Sequence, residues 1–204
     1  MQRLFTDFSA GLLAALLCNL VLLGWIGRSP VFGWYQENGL LENIQLLLLL
    51  LCGGVLVVQL FFCTESLQRL TVLAALLLVF TFFIRECDLR LYGAAPAVTY
   101  FSDGDGRYWL LIPLWLGLGF SIVRDQQAGM RKLWQLLSSR TGVLLLLSAA
   151  LLAVSVLLDK SVLQMVPSRF YEEWLEVNGY LLLLAAALSL RIRGVFTLTP
   201  NSGN

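Results

Sequence analysis

The stretch at residues 46–62, LLLLLLCGGVLVVQLFF, decides the fold. It carries no charge and its apolar residues run on without the every-other-residue alternation of a barrel strand, so it reads as helix. A helix rises 1.5 Å per residue, and about 20 apolar residues cross a hydrocarbon layer roughly 30 Å thick. Counted from Glu42, the run is long enough to span.

Working outward, five more runs meet or approach that length. The expected spans are 8–27, 42–62, 67–84, 108–123, 141–158 and 174–190. Composition agrees, with 58% hydrophobic residues, 13% charged residues and a mean hydropathy of +0.79, far from an ordinary soluble domain. The fold class expected is an all-α membrane protein, a bundle of about six transmembrane helices in a single transmembrane domain. Loops are short, so chain neighbours should mostly pack antiparallel. The 204 residues are consumed by crossings and turns, which leaves no room for a soluble catalytic or nucleic-acid-binding domain. The net charge of +1 gives no bulk attraction to nucleic acid.

The N-terminal stretch MQRLFTDFSAGLLAALLCNL resembles a signal sequence ahead of a lipidated cysteine, but Leu17 stands where a small residue is needed. It is read as an uncleaved first span. Cys18 and Cys52 fall inside spans, Cys63 at a span end and Cys87 alone outside, so neither a disulfide framework nor a CxxC metal site is implied.

With both termini cytoplasmic, eight of the 14 Lys and Arg residues lie inside: Arg3, Arg69, Arg124, Arg131, Lys132, Arg140, Arg191 and Arg193. Ten of the 13 acids lie on the outer side. The location expected is a bacterial inner membrane, crossed several times. The loop RDQQAGMRKLWQLLSSR (124–140) has an apolar face through Met130, Leu133, Trp134 and Leu137, and is expected to lie on the anionic inner leaflet. A short polar tail, 199–204, is expected to be disordered.

The charges at span ends carry the functional expectation. FFIRECDLR (82–90) places Arg85, Glu86, Asp88 and Arg90 at the outer end of the third span. One more helical turn there would let Arg85 meet Asp88 and Glu86 meet Arg90. The second span starts through ENGLLENIQ (37–45), with Glu37 outside, Glu42 in the first turn and Gln45 one turn deeper. Asp159 closes the fifth span at the same level. In the sixth, Val177 to Leu190 is too short to cross, so Trp174 and Glu176 are drawn toward the membrane, with Glu172 and Glu173 one turn before Glu176. A submerged carboxylate needs a cation or a proton, and Arg85 and Arg90 are the nearest cations. Taken singly, Glu42 and Glu173 are explained as first-turn acids meeting a helix dipole. Taken together, Glu37, Glu42, Arg85, Glu86, Asp88, Arg90, Asp159, Glu172, Glu173 and Glu176 form a candidate functional cluster at the outer face.

Histidine is absent, which excludes Ser-His, Cys-His and HExxH chemistry and the usual zinc site. SDGDGR (102–107) opens like a calcium loop, but Gly106 and Leu114 stand at the wrong positions, so a flexible turn is expected. No cofactor or metal is implied, and no catalytic set is complete.

The ENGLLENIQ start, the FFIRECDLR exit, the Asp closing a later span and YEEWLEVNGYLLLL (171–184) together resemble small bacterial multi-pass inner-membrane proteins of uncharacterised function. The resemblance covers the span order and these segments, not the loops, and implies no activity. In outline it is also similar to intramembrane hydrolases of the ceramidase type, which rely on histidines that this chain lacks. Three readings stay open. The first is a helper or sensor subunit of an envelope complex, with membrane lipids, a membrane-protein partner or a second copy around it. The second is a small transporter or ion-coupled protein, and the third an intramembrane enzyme acting on a lipid or lipid-linked substrate.

Overall fold

The computed structural model describes residues 19, 39–63, 66–87, 95–103, 106–124, 139–159 and 168–190. These form six helices and no strand: α1 (Leu40–Phe62), α2 (Ser66–Glu86), α3 (Pro96–Asp103), α4 (Gly106–Arg124), α5 (Arg140–Asp159) and α6 (Ser168–Ser189). Among the described residues, two stretches are long and apolar enough to cross a membrane, α1 itself and Thr141–Leu158 of α5. Apart from Asn19, the 8–27 run lies outside the described residues, as do the 125–138 part of the basic loop and the 199–204 tail. Residues 1–40 and 41–204 separate into two compact units.

Two helix boundaries differ from expectation. α6 begins at Ser168, well before the apolar run that starts near Trp174. Arg169 to Glu176 are therefore helical, and Glu173 sits in the second turn, where the dipole account of a first-turn acid does not reach it. Glu42 does occupy the first turn of α1. α2 runs two residues past the expected span, to Glu86, which makes Arg85 and Glu86 part of the helix; Asp88 and Arg90, their expected partners, lie outside the described residues. The short α3 opens on Pro96, a residue suited to the first helical position because its missing N–H would have no partner there. SDGDGR joins α3 to α4. A Cβ on Gly106 would lie 2.5 Å from the Tyr100 carbonyl oxygen, so only glycine lets the two helices meet this closely.

The core is shared by α1, α2, α5 and α6, through Leu49, Cys52, Leu56, Val72, Val79, Leu152, Tyr180, Leu183 and Ala187. Cys52 and Cys63 are buried free thiols. α5 and α6 pack most closely. Ser148 Oγ donates to the Gly179 carbonyl at 2.7 Å, and a Cβ on Gly179 would stand 2.8 Å from Leu152 Cγ. Small residues at a helix crossing let backbones approach and side-chain hydroxyls reach across.

α1 and α6 run parallel and in step. Gln45 reaches Glu173 and Gln59 reaches Ala187, each across 128 residues of chain. The register therefore holds from Gln45 to Gln59, about 21 Å of helix. Gln59 Nε2 donates to the carbonyls of Ala187 (2.8 Å) and Leu190 (3.4 Å), giving partners to acceptors at the C-terminal end of α6.

α4 leans on α2, with Trp115 Nε1 donating to Thr81 Oγ1 at 3.3 Å. It leaves Trp109, Leu116 and Phe120 open, and Phe61 of α1 is likewise exposed. Apolar side chains thus cover the outside of the bundle as well as its inside.

Candidate functional site

The polar groups of the bundle gather at one end, where the start of α1, the end of α2, the last turns of α5 and the second and third turns of α6 meet. Glu176 is the centre. It is only 2% exposed, and its Oε1 accepts from Arg85 Nη2 of α2. Ser155 Oγ of α5, fully buried, lies 3.2 Å from the same oxygen and 2.8 Å from the Leu152 carbonyl, with one hydroxyl proton between the two.

Arg85 faces a second carboxylate as well. Its Nε is 3.4 Å from Glu86 Oε1, and that oxygen also accepts from the Tyr180 hydroxyl at 2.7 Å. Tyr180 is wholly buried one turn below Glu176, against the ring of Phe82 at 5.5 Å between centroids. One guanidinium therefore bridges α2 to α6 and serves two carboxylates, while a third of its side chain stays open. Carboxylates taken out of water persist only with such partners.

Glu173, 6% exposed, turns to α1 instead. Its Oε2 accepts from Gln45 Nε2 at 2.6 Å, and its own carbonyl accepts from the same nitrogen at 3.3 Å. Gln45 is fully buried, and its Oε1 has no hydrogen-bond partner. Nearby, Arg169 Nη2 stands 3.8 Å from Glu42 Oε1, a loose pair with nearly half of the arginine exposed.

Of the cluster expected from sequence, the structure brings together Arg85, Glu86, Glu173 and Glu176, with Glu42 at the rim beside Arg169. Glu172 is half-buried on the same helix. Asp159 ends α5, and nothing further is described of its side chain. Glu37, Asp88 and Arg90 lie outside the described residues. Arg85 meets its own neighbour Glu86 and Glu176 of α6.

Three participants were not among the expected residues: Ser155, Tyr180 and Gln45. Tyr180 follows Glu176 by four and Glu173 by seven, a spacing that places all three on one face of α6. That was the readable signal for it. Ser155 had none, because a serine in an apolar helix is as often bonded to its own backbone.

Among the described residues no three Asp, Glu, Cys or His side chains converge as metal ligands would. Chemically, the arrangement can hold helices together through buried charge and can carry protons on carboxyl groups that outnumber their cation. The chain matches no protein-family model, and comparison with curated proteins and with solved structures finds no similar protein.

Proposed function

We propose that this is a polytopic protein of the bacterial inner membrane, crossing it six times with both termini cytoplasmic, and that it serves as a helper or sensor subunit of an envelope complex. The observation that carries the reading is the inward closure of the charged network: Arg85 joins α2 to α6 through Glu176, while the Ser155 hydroxyl stands at the same Glu176 oxygen and the Tyr180 hydroxyl donates to Glu86. A site for catalysis on a lipid would present its acid and base to the substrate. Here Glu176, Ser155 and Tyr180 are all buried, so the network holds helices and presents no reactive group. The apolar outer surface of α1 and α4 suits lipid or a neighbouring membrane helix. In this placement the charged end of the bundle is the outer one, as the acid distribution along the chain favours.

The test is native mass spectrometry of the protein extracted from its own membrane in mild detergent, wild type against Glu176→Gln. The expected result is a stoichiometric protein partner whose occupancy falls in the variant. A lone chain carrying a phospholipid or lipid-linked sugar that the variant loses would overturn the helper reading in favour of an enzyme or transporter. Orientation is checked separately by a reporter fused after Asn204. It is expected to read as cytoplasmic, and a periplasmic signal would move the cluster to the inner face.

An ion-coupled protein is the second reading, favoured by one observation. Among the described residues, Glu173 is a buried acid with no cation against it.

A further inference from the structure

Glu86 and Glu176 share Arg85, and each also has a hydroxyl within hydrogen-bond distance, whereas among the described residues the carboxyl of Glu173 meets the neutral amide of Gln45 and no cation. The charged groups around it are mostly of its own sign. On α6 it is flanked by Glu172 and Glu176, on α1 it faces Glu42, and on α2 it faces Glu86. Arg85 is engaged by Glu86 and Glu176, Arg169 stands against Glu42, and α5 contributes the neutral Ser155. A second, independent feature lies in the same contact. The amide whose Nε2 touches Glu173 carries on its other arm a buried oxygen with no partner at all. A buried carbonyl oxygen left without a donor is uncommon and costly.

We propose that Glu173 and Gln45 together form a binding site for a single proton, taken up from the outer side of the membrane. In the deprotonated state the carboxylate accepts from Gln45 Nε2, as the structure has it. On protonation an O–H bond forms at the Glu173 carboxyl, with the proton delivered by outside water, and the group becomes a donor. The Gln45 amide can then turn to present Oε1, which gains a donor while Nε2 gives up its two acceptors on Glu173. The 2.6 Å separation suits an O–H···O bond at least as well as an N–H···O bond. Because the contact joins α1 to α6, occupancy of the site is felt at the helix pair whose register it sets. This deepens the sensor reading and rests on the outer placement proposed above. It does not depend on the partner.

The experiment is an infrared pH titration of the purified full chain in nanodiscs, following the carboxylic C=O stretch. Wild type is expected to show a band that titrates and that Glu173→Gln removes. A titration identical in wild type and Glu173→Gln would overturn the proposal, as would the absence of any titrating band in wild type. Gln45→Leu gives an independent reading if Glu173→Gln does not fold. It deletes a donor to the ionised form and an acceptor for the neutral one, and bonds to charged groups are the stronger. The midpoint should therefore rise by about one pH unit. An unchanged or lowered midpoint would sink the assignment. Repeating the titration with sodium in place of a large organic cation tests the nature of the ligand: an unmoved midpoint supports a proton site, and one that falls with sodium overturns it in favour of a metal-cation site. The titration contains no partner protein, so its outcome is separate from that of the mass-spectrometric test.

Discussion

Arg85→Ala is expected to lower the stability of the protein in detergent by about 3–5 kcal/mol, the cost of breaking a buried ion pair by removing one side of it. The reason lies in what remains. Glu176 and Glu86 keep their buried positions, with only the hydroxyls of Ser155 and Tyr180 to support their charge. The proper comparison is Glu42→Ala, which removes an exposed pair 3.8 Å apart at the rim of the same cluster. Exposed pairs are worth about 0–1 kcal/mol, so that variant should stay close to wild type. Replacing both Arg85 and Glu176 with Met should cost less than Arg85→Ala alone, because only Glu86, and no longer Glu176 as well, is then left without its cation. Unfolding in mixed micelles with increasing denaturing detergent measures all three. Equal loss for Arg85→Ala and Glu42→Ala would mean that the Arg85 network contributes no more than a surface pair.

How much of this was readable in the sequence depends on what each residue advertises. Apolar runs mark helices, and α1, α2, α4, α5 and α6 lie over runs that length and continuity point out. They mark the greasy part of a helix, however, and not its ends. The start of α6 at Ser168 follows Pro167, an ordinary signal for a helix beginning, but the acid-rich turn between it and Trp174 looks like loop on hydropathy alone. Charges are conspicuous in such a chain, and depth matching alone made Arg85 a candidate partner for Glu176. That Arg85 would meet Glu86 as well as Glu176 could not be read, because it depends on how α2 and α6 face each other. Neutral polar residues are the hardest. Gln45 was visible as a polar residue one turn inside a span, yet its role depends on facing Glu173, and that follows from the register of two helices 128 residues apart in the chain.

Tyr180→Ala is expected to be the other costly change, and Tyr180→Phe divides its cost into parts. The side chain is fully buried between α2 and α6, its ring tilted against Phe82 and its hydroxyl 2.7 Å from Glu86 Oε1. Truncating a buried aromatic to Ala costs about 3–5 kcal/mol in cores generally. In a membrane the lower part of that range applies, because lipid replaces water as the alternative surroundings and only lost packing and the cavity remain. The alanine variant also removes the hydroxyl. Tyr180→Phe keeps the packing and removes only a hydrogen bond to a carboxylate, worth about 1.5–3 kcal/mol. If both variants are measured by the same micelle titration, the phenylalanine variant should fall between wild type and alanine. Its deficit should also shrink in the Arg85→Met, Glu86→Gln background, where the charge that the hydroxyl supports is gone. A phenylalanine variant as stable as wild type would show that Glu86 is held by Arg85 alone. The buried end of α6 would then be fixed by packing and one ion-pair centre, not by a network extending through Tyr180.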